Sequence, residues 1–174
     1  MKHKTTSREY AFLMVDYKKP DFIDRLQSKI KKEDLYVEED NDDYGIEKHS
    51  HVTLVPCLDN DVDLKELKKY LKDINEYKGV LTDISKFECE NFDVLKCSVI
   101  SDKLKETNNK IVNVFETHSD YKEYKPHLTI AYMKRGMADK YLKDILPKLT
   151  YIEPINFHFS YIDKNGKEKD IKFE

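Results

Sequence analysis

The chain has 174 residues, 31 of them basic and 34 acidic, and 39% are hydrophobic. That is enough apolar material for a single cored domain over residues 1–174 and too much for a disordered chain. The near balance of charge gives no overall basic excess for tracking a long nucleic acid, and no apolar run approaches membrane-spanning length.

The opening MKHKTTSREY lacks the apolar centre of a signal peptide, which predicts a cytoplasmic protein. Three cysteines, Cys57, Cys89 and Cys97, are an odd number without metal-type spacing and fit a reducing compartment. REYAFLMV reads as a strand. DFIDRLQSKI reads as a helix opened by Pro20 and Asp21, with Phe22, Ile23, Leu26 and Ile30 at helical spacing. The acidic run EEDNDDYGIE is a solvated loop that leads into a strand, HVTLVPCL. Half an EF-hand is visible in DNDDYG, but Tyr44 takes a ligand position and no closing Glu follows.

DVDLKELKKYLKDINEY predicts one long helix, with Leu64, Leu67, Leu71, Ile74 and Tyr77 on a stripe and Gly79 ending it. GVLTDISKFEC and DVLKCSVI predict two strands joined around ENFD. DKLKETNNKIVNVFETH predicts a helix with Leu104, Ile111 and Phe115 on one side. HLTIAY is a strand, and MADKYLKDILPKL a helix cut short by Pro147. The tail predicts a hairpin turning at Asn165-Gly166. This order of elements implies an α+β or α/β fold, with a mixed or antiparallel sheet and flanking helices.

One phrase occurs twice: KHSHVTLVP at residues 48–56 and KPHLTIAY at residues 125–132. With 6 histidines and 8 threonines, chance supplies a His-x-Thr about 0.3 times in this chain. Alternate residues of a strand share a face, so His51 and Thr53 point together, and so do His127 and Thr129. If the two strands are neighbours, two imidazoles and two hydroxyls converge. A phosphate suits that set. The hydroxyls donate to its oxygens, one imidazole takes a proton from the attacking group, and the other protonates the leaving oxygen, with no metal or cofactor needed. Which histidine plays which part is left open by the sequence.

The paired HVTL and HLTI resemble the motifs of the 2H phosphoesterases. That resemblance implies a two-lobed α+β fold with a pseudo-twofold cleft, and His51, Thr53, His127 and Thr129 as catalytic residues. DLYVEEDNDDYGIEKHSHVTL, NFDVLK, LKETNNK and YKPHLTIAYMKRG are further similar to the phage anti-CBASS nucleases. This second resemblance implies a phosphodiesterase that hydrolyses cyclic di- and trinucleotide messengers. Those enzymes use aromatic platforms, including a Trp, against a nucleobase, and this chain has no Trp.

For the rest of a cyclic oligonucleotide, the candidates are Tyr17, Tyr124 and Tyr161 for stacking, Tyr161 standing in for the missing Trp. Glu153 is a candidate acceptor for an adenine amino group, and Lys134 a candidate phosphate cation. His3, in a loose tail, His49, His118, placed near a helix end, and His158 are assigned no catalysis. Two alternatives differ in class from this reading: a 2H enzyme opening 2′,3′-cyclic phosphates at RNA ends, and a non-catalytic module that sequesters the messenger.

Overall fold

The computed structural model describes residues 9–144, 146 and 148–174. His3 and Pro147, and with them the loose tail and the proline stop, lie outside these residues. Eight strands are formed: β1 (Ala11–Tyr17), β2 (His51–Leu58), β3 (Gly79–Glu88), β4 (Phe92–Ile100), β5 (His127–Lys134), β6 (Thr150–Ile152), β7 (Pro154–Ile162) and β8 (Glu168–Phe173). They make one sheet in the order β6-β3-β4-β5-β2-β1-β7-β8. Every strand pairing in it is antiparallel, so the fold is α+β rather than α/β. Among the described residues, no helix is long and apolar enough to cross a membrane.

The middle of the sheet is thin. β2 and β5 meet at a single register pair, Val52 against Leu128. Beyond it β5 leaves β2 and pairs with the acidic loop instead: Leu35 bridges Met133, and Ile46 bridges Ala131. Glu38, Glu39, Asp40, Asp42 and Asp43 of the loop are exposed, while Tyr36 and Tyr44 clip onto Phe92 and Tyr132 in an aromatic cluster with centroids 5.0–5.7 Å apart.

Helices cover one face of the sheet. α1 (Asp21–Lys29) buries Phe22, Ile23 and Leu26. A short α2 (Leu64–Lys68) follows β2, and α3 (Asp102–Val112) follows β4 and buries Leu104 and Ile111. α1 leaves β1 yet packs on β5, and α3 leaves β4 yet packs on β2. Val52, Leu54, Leu128 and Ile130 are at most 1% exposed beneath them.

Several expectations change. The long helix over 61–77 is broken. Asp63 caps α2 by accepting from Lys65 N at 2.9 Å, and Asp73 then opens a separate 3-10 turn by accepting from Asn75 N at 2.8 Å. Such side chains offer the backbone an alternative to continuing a helix. The chain then buries Tyr77 completely, with its ring edge-on to Phe157 and its hydroxyl 3.0 Å from Thr107. Gly79 begins β3 rather than ending a helix. A Cβ there would meet Val99 at 2.8 Å, so only glycine fits without displacement.

The segment after Gly136 is a 3-10 turn, Met137–Tyr141, and not a longer helix. Its Tyr141 hydroxyl is held by the Asp34 carboxylate at 2.7 Å. The last hairpin turns over residues 163–167. Asp163 accepts from the Asn165 and Lys167 amides, both at 2.9 Å, and Gly166 takes φ +72°.

Candidate active site

The single β2–β5 pair defines the site. Counting one residue either way along antiparallel strands sets His51 against Thr129 and Thr53 against His127. Directly opposed residues share a face, so all four lie opposite the buried Val52 and Leu128. All four are half-buried, and the burial sequence of the first five residues is the same in both strands.

The register carries the arrangement outward in two rows. One row runs Ser85, Lys96, Thr129, His51, Asp16, Asn156. The other runs Asp83, Ser98, His127, Thr53, Met14, His158, Lys172.

The fourth residue of each phrase has its own structural part. Between Leu13 and Met14 the partner on β2 steps from Val55 to Thr53, which leaves Leu54 as an extra residue. Between Leu95 and Lys96 the partner on β5 steps from Ala131 to Thr129, which leaves Ile130 extra. Each phrase therefore ends in a β-bulge, the device that re-aims side chains beside a site. A bulge frees a carbonyl from the ladder, and a helix amide reaches each one. Asn108 of α3 donates to Leu54 O at 2.8 Å, and Gln27 of α1 donates to Ile130 O at 3.0 Å. Sequence reading missed both amides. Their signal was a carboxamide on the apolar side of an amphipathic helix.

The two imidazoles differ. His127 Nδ1–H donates to the Lys125 carbonyl at 2.8 Å, which in the neutral ring makes Nε2 the accepting nitrogen, and among the described residues Nε2 has no hydrogen-bond partner. Its ring stands edge-on to Phe87 at 4.8 Å. Burial holds His127 below the ordinary imidazole value. The Lys125 hydrogen bond works against that, and the positive charges of Lys96 and His51 add to it. Among the described residues, the His51 imidazole has no hydrogen-bond partner. Beside it, Asp16 is engaged elsewhere, accepting from Asn156 at 2.8 Å and contacting His158 at 3.3 Å.

Of the other sequence candidates, the structure brings Tyr124 to the four residues. Its hydroxyl donates to Thr53 O at 2.9 Å, which ties the lead into β5 onto β2. Tyr17 is 2% exposed, and its hydroxyl donates to Tyr77 O at 2.7 Å. Burial raises both phenols.

Lys134 is exposed at the far end of β5, opposite Phe92. It lies seven strand steps from His127, roughly 23 Å. Glu153 is exposed between β6 and β7, 3.5 Å from Lys78. Tyr161 stacks on Phe159 at 5.7 Å and packs against the core, with Phe157 and Phe159 rather than with His158. These three are not gathered with the histidines.

His118 does not sit at a helix end. It lies beyond α3, paired with Asp59 at 2.8 Å and stacked on Tyr10. His49 lines a cleft of about 440 Å³ beside His51, together with Asp16, Lys48, Asn156, His158 and Lys172. Ser50, also in that cleft, has a buried hydroxyl with no partner among the described residues. In the same set, no group of three or more His, Cys, Asp or Glu is placed to hold a metal ion.

Among curated proteins, no sequence matches this one. The fold is similar to that in the crystal structure of TT0787 of Thermus thermophilus, with a TM-score of 0.51 and 15% identity over 94% of each chain. That likeness is one of fold. A family model described as the 2′-5′ RNA ligase superfamily matches residues 15–163, most of the chain and both His-x-Thr strands, and the protein belongs to that superfamily.

Proposed function

We propose that the protein is a metal-independent phosphodiesterase whose catalytic residues are His51, Thr53, His127 and Thr129. Its substrates are the 3′–5′ linkages of cyclic di- and trinucleotides, and its role is to silence a bacterial antiviral signal on behalf of a phage. One observation carries the reading: the β2–β5 register sets each histidine against the other strand's threonine on a shared face. The strand order, four strands on either side of that junction, supports a pseudo-twofold, two-lobed cleft. Superfamily membership supports phosphoester chemistry.

His127 is the base in this mechanism, because burial shifts it toward the neutral form and its Nδ1–H bond leaves Nε2 to accept. It removes the proton of the ribose 2′-hydroxyl. The 2′-oxygen attacks phosphorus, and the bond to the 5′-oxygen breaks. His51 delivers a proton to that departing oxygen. The threonine hydroxyls donate to the phosphoryl oxygens as charge builds on them. The first products are a 2′,3′-cyclic phosphate and a 5′-hydroxyl. Water then opens the ring, with the proton transfers reversed, to a 3′-phosphate. An intramolecular nucleophile is favourable, since effective molarities of well-oriented groups reach about 10⁵–10⁸ M.

The experiment is incubation with a panel of cyclic di- and trinucleotides, with products identified by mass spectrometry. Cleavage to 3′-phosphates is expected. An analogue lacking both 2′-hydroxyls binds but resists cleavage. Cutting of that analogue at a comparable rate, or 5′-phosphate products, overturns the mechanism. The family description names RNA, which favours one second reading: the opening of 2′,3′-cyclic phosphates at RNA ends. An RNA oligonucleotide with such an end belongs in the same panel.

A further inference from the structure

Lys96 lies in the middle of β4, between two apolar residues. Within DVLKCSVI, its neighbours Leu95 and Cys97 are fully buried, and Lys96 itself is 7% exposed. A buried ammonium is costly unless it is paired. Yet among the described residues no carboxylate forms an ion pair with it. Its hydrogen bond goes to a neutral group, the Ser98 hydroxyl, at 2.8 Å. It also sits over the Phe87 ring, 4.6 Å from the centroid. Asp83 is the nearest acid by register, but one of its oxygens accepts the Ser98 amide at 3.0 Å. Three N–H donors on the ammonium therefore meet one strong acceptor.

Its position accounts for the cost. Lys96 is the register partner of Thr129, and Ser98 is the register partner of His127. The ammonium bridges from the row of Thr129 and His51 to the row of His127. Asp83 acts on it only at longer range, so among the described residues it is a cation without a direct ion pair, placed where the proposed mechanism puts a phosphoryl group.

We infer that Lys96 is a phosphoryl-binding residue, its ammonium completing a bowl with the Thr53 and Thr129 hydroxyls and neutralising the charge that develops on the non-bridging oxygens. This role rests on the phosphodiester reading. It also differs from the sequence expectation that Lys134 supplies the cation. The compact ammonium acts here as a point charge. Phe87 serves both ends of the arrangement, with the Lys96 ammonium over its face and His127 in edge-on contact. The ionisable groups facing Lys96 are Asp83 on β3, Lys125 before β5, His127 on β5 and its own neighbour Cys97.

The test compares the full-length wild type with Lys96→Met and Lys96→Arg, and it has an arm that needs no turnover. Inorganic phosphate is titrated while the ring resonances of His51 and His127 are followed by NMR. The expectation is saturable shifts in the wild type, an affinity at least tenfold weaker in Lys96→Met, and partial recovery in Lys96→Arg. Catalysis should fall about a hundredfold in Lys96→Met, mainly in kcat, the size of one missing oxyanion donor.

Thermal stability separates this role from a structural one. Replacing an unpaired buried charge by an apolar side chain should leave Tm unchanged or raised. A lower Tm with phosphate affinity intact overturns the inference, and so does wild-type phosphate affinity in Lys96→Met. Lys96-dependent phosphate binding in a wild type that cleaves no cyclic oligonucleotide sinks the phosphodiesterase reading and leaves this one standing. Full activity of Lys96→Met in an active enzyme does the reverse.

Discussion

HVTL on β2 and HLTI on β5 are built alike and wired differently. Both end in a bulge, both lie over an apolar layer, and both have their bulge carbonyl bonded by an amide from a helix of the opposite half. The imidazoles break the likeness. His127 is fixed through Nδ1, flanked by Phe87 and depressed by burial. His51 stands beside the 440 Å³ cleft with no partner among the described residues. The shared features put the four side chains on one face, and in the proposed mechanism the differences let two copies of one residue type divide the work of base and acid. A proton relay across a phosphate requires that division.

The largest effect that probes this comparison comes from removing either imidazole. His51→Ala and His127→Ala are each expected to lower kcat by about 10²–10⁴-fold on the best cyclic oligonucleotide. The double variant should be little worse than either single, because residues acting as a unit are not additive. Independent, multiplicative losses would break the shared site into two. Retained activity in one single variant would reduce the pair to a lone histidine.

The amides give the next effect, and here the two halves should separate. Asn108 is 7% exposed, and its deletion removes the side-chain donor to Leu54 O. When Gln27 is removed the Ile130 carbonyl keeps the Glu47 amide, at 3.0 Å, and the Glu47 carbonyl, which Gln27 also meets at 2.8 Å, belongs to a half-buried residue within reach of water. An orphaned buried polar group costs about 1–3 kcal/mol, so Asn108→Ala should fall in that range and Gln27→Ala below it. Chemical denaturation measures both. Equal costs would mean that the bulges do not depend on these donors in the way the distances suggest.

How much of this was visible beforehand follows from particular residues. The four His and Thr positions could be read because alternation along a strand is local. The strands and α3 were visible for the same reason. Their meeting at Val52 and Leu128 is long-range, and only an assumed adjacency could supply it. The helix over 61–77 failed because its leucine stripe is real, but Asp63 and Asp73 each start a new turn and Tyr77 is drawn into the core. The bulges at Leu54 and Ile130 have no marker of their own, since an apolar residue there reads as ordinary alternation. Lys96 was overlooked because a lysine in a charged chain passes for surface until its strand is known to be central. Tyr17 was a reasonable platform by type, but its hydroxyl is committed to Tyr77 O.

A smaller effect lies in the pH profile. The base must be neutral to act, so activity rises with pH through the value of His127. Burial sets that value below the ordinary 6.5. The acidic limb of kcat/KM is therefore expected below 6.5, and the His127 ring should titrate there by NMR in the free protein. A limb above 6.5 would exchange the roles of the two histidines and leave the site intact.

The smallest effect concerns a third histidine on the same face. His158 lies in the row of Thr53, two strands away, yet both its nitrogens contact carboxylates: Nδ1 with Asp16 at 3.3 Å and Nε2 with Asp170 at 2.7 Å. A ring held at both nitrogens latches β1, β7 and β8 together and has no free position for a proton relay. The Asp16 hydrogen bond raises His158 above its ordinary 6.5, with burial opposing and Asp170 assisting. For Asp16, burial pushes the carboxyl upward, but the bonds from His158 and Asn156 and the charges of His158 and Lys172 outweigh it and hold it below 3.8.

The signs follow. A raised histidine contributes stability that is complete below its unfolded value and is lost as pH rises through its folded value. A lowered aspartate contributes stability that is complete above its unfolded value and is lost as pH falls through its folded value. The latch is therefore strongest between about pH 4 and 6.5. His158→Gln should cost about 1 kcal/mol at pH 5.5 and progressively less above neutrality, while kcat is unchanged. Urea unfolding at several pH values, run beside an activity assay, checks both halves of the claim. A loss of kcat comparable to that of His51→Ala would place His158 among the working imidazoles and end the two-histidine account.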